Sequence, residues 1–156
     1  MKATTVKIEM CVPLDDGERD EKYRPFKAHK GDAAFDLMST ESGILNPGER
    51  KLFSAGFRME LEEGWEAQIR PRSGNALKKG LTVLNTPGTI DSLYRGIVGV
   101  ILYNAGESPI SISKGDKIAQ MVIQRVPDVE LEFVDSIEKE TERGVDGFGS
   151  TGLAGK

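Results

Sequence analysis

Short runs that alternate apolar and polar residues, cut every few positions by turn residues, occupy most of this chain and constrain its fold most. VKIEM (6–10), LFSAGFRMEL (52–61), WEAQIRP (65–71), IVGVILYN (97–104), ISISKGDKIAQMVIQRV (110–126) and VELEFV (129–134) are all of this kind. Successive side chains of a strand point to opposite faces, whereas a helix repeats every 3.6 residues, so a period of two selects half-buried strands. Between the runs stand LNPGER, LEEGWE, NTPGTID, NAGESP and SKGD, all rich in the residues that turns require. Only SGNALKKG, residues 73–80, reads as helical, with space for roughly two turns. The pattern predicts an all-β fold, a jelly-roll-like β-barrel or sandwich with one short helix.

The 156 residues suit one domain with a real core. We expect that domain over residues 1–135, followed by a flexible glycine-rich arm over 136–156, where a lone aromatic, Phe148, stands among glycines. The net charge of −4 argues against stable nucleic-acid binding and makes any anion site local. No apolar run reaches the length of a membrane span, and the first residues lack a signal-peptide centre, so a cytoplasmic protein is expected. Cys11 is the only cysteine and His29 the only histidine, which excludes Cys/His zinc clusters. Cys11 reads as a partly buried filler and His29 as a solvated loop residue, which leaves a carboxylate as the candidate base.

Four stretches concentrate chemistry. RPRSGNALKKG (70–80) sets four cationic side chains around a Ser-Gly step. Arg72 offers a planar fork of donors, Ser73 a hydroxyl, and Gly74 unobstructed backbone N–H groups, a combination suited to an anion. LNTPGTIDSLYRG (84–96) is a turn that places Asp91 near a strand start, with Tyr94 able to lie against a sugar or base. In KGDKIAQMVI (114–123), Gln120 interrupts an apolar run and must bond either neighbouring backbone or a ligand. In DAAFDLMS (32–39), Asp36 is either a turn acid or a contributor to a magnesium site acting through water. A flexible arm carrying Arg143, Phe148, Ser150 and Thr151 would suit closure over a flat anionic ligand.

In order and spacing, DAAFDLMS, PRSGNALKKG, NTPGTIDSLYRG, KGDKIAQMVI and RGVDGFGSTG resemble the motifs of the homotrimeric dUTPases, from about Asp32 to Gly152. The resemblance implies a dUTPase-like jelly-roll barrel, a homotrimer with sites shared between three subunits, and Mg²⁺-assisted hydrolysis of dUTP to dUMP and pyrophosphate. That reaction limits uracil in DNA and supplies dUMP for dTMP synthesis. Asp91 would be the general base. Arg72, Ser73, Gly74 and Gln120 would hold the phosphates, and Asp36 would assist the metal through water. Asn85, Gly88, Thr89, Ile90 and Gly99 would read the uracil edge, and Tyr94 would pack against the deoxyribose. Arg143, Phe148, Gly149, Ser150 and Thr151 would form the lid. The chain departs from the usual family residues at Ala34-Phe35, Leu93 and Asp146, none of which is assigned chemistry. Two alternatives stand beside this reading: a related dCTP deaminase, and a non-catalytic nucleotide-binding or regulatory module on the same fold.

Overall fold

Residues 4–146 are described by the structure, a computed structural model. Among them the strands are β1 (Lys7–Met10), β2 (Phe35–Met38), β3 (Gly43–Leu45), β4 (Arg50–Ser54), β5 (Phe57–Glu60) and β6 (Trp65–Arg70). After the helix α1 (Ser73–Lys79) come β7 (Leu81–Val83), β8 (Gly88–Ile90), β9 (Gly99–Asn104), β10 (Ile110–Ile112) and β11 (Lys117–Arg125). All pairs are antiparallel. The largest sheet runs β2-β11-β6-β8, a second runs β4-β9-β7, and β1-β5 and β3-β10 are two-stranded. The all-β expectation with one helix therefore holds, but the sheets are open, four separately hydrogen-bonded sets instead of one closed barrel.

Alternation becomes burial. On β6, Ala67 and Ile69 are buried while their neighbours are half-exposed, and on β9, Val100, Leu102 and Asn104 alternate with partly exposed residues in the same way. Leu45, Phe53, Phe57, Val100 and Leu102 are completely buried and meet in one core. Burying each such side chain contributes about 1.5–3 kcal/mol. Asn104 is the polar exception: its Nδ2 donates to the carbonyls of Leu45 and Ser108, at 3.0 and 2.9 Å, so its burial is satisfied.

Several local expectations are corrected. LFSAGFRMEL divides into β4 and β5, because Gly56 between them has φ +73° and a Cβ there would stand 2.8 Å from Val12 Cγ2. Asp36 lies within β2 and is no turn acid. Asp91 follows the end of β8 instead of opening a strand. VELEFV forms no strand: Val129, Leu131 and Phe133 are exposed, and an isolated extended segment has no edge on which to make its backbone bonds. His29 is exposed and Cys11 is partly buried and unpaired, as expected.

The charged segment 15–32 is more than a solvated loop. A 3₁₀ turn at Asp20–Tyr23 drives Tyr23 into the protein, leaving it 1% exposed. Its hydroxyl donates to Glu18 Oε1, while Lys114 Nζ, in the turn before β11, donates to Glu18 Oε2 at 2.7 Å. These two bonds, Lys114 foremost, hold the Glu18 carboxyl at a pKa of about 2 against an ordinary 4.5. Because the folded value is depressed, the stabilisation is complete above pH 4.5 and is lost as pH falls towards 2. Urea midpoints followed by Trp65 fluorescence should show wild type above Glu18→Gln at neutral pH, with the gap closing across that window. A gap unchanged at low pH would refute the tie.

Candidate active site

β6 ends at Arg70, and Pro71 and Arg72 turn the chain into α1, with Arg72 extended at φ −92°, ψ 130°. Gly80 stops the helix in the left-handed region at φ +68°, where a Cβ would stand 2.6 Å from the Gly106 amide nitrogen. The turn is held from three sides. Asp36 Oδ1 accepts from Arg72 Nε at 3.0 Å, Gln120 Nε2 donates to the Pro71 carbonyl at 2.8 Å, and Asn75 Nδ2 donates to the Lys117 carbonyl at 3.0 Å. Sheet register explains why: Asp36 on β2 lies beside Gln120 on β11, which lies beside Arg70 on β6. Ser73 and Gly74 are exposed, and a Cβ at Gly74 would meet nothing within 4 Å. Asp36 takes a second cation, Lys117 Nζ, 2.9 Å from Oδ2. The patch therefore holds two cations against one carboxylate, and only Nε of the Arg72 guanidinium is engaged among the described residues.

A second group lies beyond the other edge of β6. Asn85 folds over Gly88, whose Cβ would sit 3.3 Å from Asn85 Nδ2. Thr89 is exposed and pairs with Gln68, and Ile90 pairs with Ala67. Past β8 the chain turns: the Tyr94 amide donates to the Asp91 carbonyl at 3.1 Å, and Arg95 Nη1 donates to the Ser92 carbonyl at 2.6 Å. Tyr94, 43% exposed, points its hydroxyl to the Ile97 carbonyl at 3.1 Å, over Gly96, where any side chain would collide with that hydroxyl. Gly99 opens β9 opposite Ser54, with Leu52 occupying the space of a Cβ. Asp91 is exposed.

These two groups stand apart within one chain. By continuation of the β6–β8 register, Asp91 falls level with Glu66, about four strand positions or roughly 13 Å from Arg70, and the Arg72 turn lies further on. Among the described residues no hydrogen bond or ion pair joins Asp91 or Tyr94 to Arg72, Ser73, Gln120 or Asp36. Arg143 is exposed, with Nε donating to the Asp146 carbonyl at 2.8 Å, and it belongs to neither group. Phe148, Gly149, Ser150 and Thr151 lie outside the described residues. An apolar groove of 730 Å³ lined by Val6, Ile8, Phe35, Trp65 and Ile123 contains none of the expected site residues.

No cluster of three or more metal-ligating side chains forms among the described residues. The donor set still fits a hydrated magnesium ion. Each Asp36 oxygen accepts from one cation and keeps a lone-pair direction for a metal-bound water. Residues missed from the sequence are Lys117, which shares Asp36 with Arg72, and the Glu18–Tyr23–Lys114 tie. The KGDK turn was noticed, but nothing in its spacing marks Lys117.

What the geometry defines is a class: an antiparallel β-protein with one short helix, entered through a cationic turn, and a separate loop bearing an exposed carboxylate and a half-exposed tyrosine. The dUTPase family model matches residues 20–152. The deoxyuridine 5'-triphosphate nucleotidohydrolase of Clostridium tetani is 54% identical over 97% of this chain and 99% of its own. That of Trichodesmium erythraeum is 56% identical over 82% of this chain and 89% of its own. Among solved structures, the dUTPase of Staphylococcus bacteriophage 80alpha with dUPNHPP superposes with a TM-score of 0.82 at 27% identity, covering 97% of this chain and 100% of that one. The dUTPase of phage phi11 of S. aureus, whose structure details a structural Mg(II) ion, shares the fold with a TM-score of 0.74 at 24% identity, over 86% of this chain and 99% of its own. The chain belongs to the dUTPase family, and its reaction is hydrolysis of dUTP. No helix among the described residues is long and apolar enough to cross a membrane.

Proposed function

We propose that the chain forms a homotrimer that cleaves dUTP to dUMP and pyrophosphate, with each site assembled from Arg72, Ser73, Gly74 and Gln120 of one subunit and Asp91 and Tyr94 of another. The observation that carries this reading is the separation along β6: a phosphate-holding turn and a water-activating carboxylate lie at different levels of one strand, so they meet only across copies. The Asp91 carboxylate takes a proton from water. The water oxygen attacks the α-phosphorus, the bond to the bridging oxygen breaks, and pyrophosphate leaves. Arg72, tethered through Nε, offers its terminal NH₂ groups to the phosphates, and the Ser73–Gly74 backbone approaches them without hindrance. Asn85, Gly88, Thr89, Ile90 and Gly99 shape the uracil pocket, and Tyr94 closes the sugar side. Arg143, Phe148, Gly149, Ser150 and Thr151, on an arm over 136–156 distinct from the 1–135 domain, cover the bound nucleotide. Bound Mg²⁺, assisted by Asp36 through water, supplies charge neutralisation along the phosphate chain. The physiological consequences would be a low uracil content in DNA and a supply of dUMP, and the single unpaired Cys11 fits a cytoplasmic setting.

Pyrophosphate release from dUTP, dCTP, dTTP and UTP, measured side by side, tests the reaction. We expect release from dUTP alone, and loss of most turnover with excess EDTA. Ammonia from dCTP would move the chain to the deaminase reading, and tight dUTP binding without product would leave a nucleotide-binding module.

A further inference from the structure

We infer that Lys117 is a positioning residue for the reaction, acting through Asp36 to set the Arg72 guanidinium. This rests on the reading of Arg72 as a phosphate ligand. The chain of contacts is short. Lys117 Nζ stands 2.9 Å from Asp36 Oδ2, and Asp36 Oδ1 takes Arg72 Nε at 3.0 Å. A carboxylate held by one cation can still rotate about its terminal torsion; held on both oxygens, it cannot turn without breaking an ion pair. Asp36 is the most enclosed of the three, its side chain 17% exposed against 39% for Lys117 and 32% for Arg72.

Lys117 is itself held. Its Nζ lies 4.7 Å from the centre of the Phe26 ring, and the Phe26 carbonyl accepts from the Asp36 amide at 2.8 Å, so ring and carboxylate move as one unit. Its carbonyl accepts from Asn75 of α1, which ties the same residue to the phosphate turn through its backbone. The pairing of β11 with β2 slips between Lys117 and Ala119, and this irregularity takes Lys117 out of the simple alternation that buries Ala119 and Met121. There is also a charge argument. Asp36 and Arg72 alone are neutral together and present no net attraction to a polyanion, whereas Lys117 leaves the trio with a net positive charge.

A mutant cycle on the full trimeric enzyme tests the inference. Lys117→Met should lower kcat/KM about tenfold in the wild-type background and less than about twofold when Arg72 is already Ala, because a residue acting through another loses its effect with it. The Kd of a non-hydrolysable dUTP analogue, measured in EDTA so that metal plays no part, should rise by a similar factor in the wild-type background. Lys117→Arg should restore both. Equal losses in the two backgrounds would overturn the inference and make Lys117 an independent phosphate contact. A lowered Tm with unchanged kcat/KM would overturn it in favour of a purely structural role. If Lys117→Met does not fold, Lys117→Gln carries the same cycle. Full activity of Arg72→Ala would instead refute the underlying phosphate assignment, so the two failures are distinguishable.

Discussion

Replacing Asp91 by Asn lowers kcat about 10²–10⁴-fold, the usual contribution of a positioned general base, while nucleotide still binds. The substitution keeps the shape of the side chain and removes only its ability to take a proton. Asp91 is exposed in a turn outside the core, pinned by main-chain bonds at Tyr94 and Arg95, so the variant should fold as wild type does. Single-turnover kinetics with dUTP, together with the Kd of a non-hydrolysable analogue, check both halves of the claim. A variant with full turnover would remove Asp91 from the role of base. A variant with normal chemistry and weakened binding would make it a substrate contact instead.

Mixing two inactive proteins should recover activity. In a cyclic trimer whose sites take Arg72 from one subunit and Asp91 from its neighbour, any trimer containing both Arg72→Ala and Asp91→Asn chains has one interface at which both native residues meet. Random assortment of equal amounts then yields about a quarter of wild-type sites, starting from two parents with almost none. The measurement is dUTP turnover after joint refolding or co-expression, set against the separately prepared parents. Absence of any recovery, with mixed trimers demonstrated by a tag on one chain, would mean that each site is built within a single subunit.

Much of the architecture was legible because strand burial follows period two directly. Trp65–Arg70 and Gly99–Asn104 alternate in sequence and in burial alike, and Ser73–Lys79 is helical up to the glycine that stops it. The failures have physical causes. Three-residue strands such as β3 and β7 carry too few alternations to stand out, and pairing in the fold, not local propensity, makes them strands. Tyr23 lay in a run dominated by charge, and its burial depends on Glu18 and on Lys114, 96 residues from Glu18. Asp36 was recognised by motif, yet its partners belong to α1's entry and to β11, contacts that only register creates. Lys117 escaped because a slip in pairing has no signature in residue spacing. The sequence pattern led to Arg72, Gln120 and Asp91 as individuals; that they divide between two levels of β6 is a property of the fold.

Strand β6 thereby serves as a ruler. Its rise per residue sets the distance between the cationic turn and the Asp91 loop, and its pleat sets which way each faces. Deleting one residue between Glu66 and Arg70 would shorten that interval by roughly 3.3 Å and turn the following side chains to the opposite face. The segment between Asp15 and Asp32, by contrast, spans no such interval and can lengthen or shorten around its Tyr23 anchor. Length variation among proteins built this way should therefore gather in the loops before β2 and be purged from β6, even though no residue of β6 itself performs the chemistry.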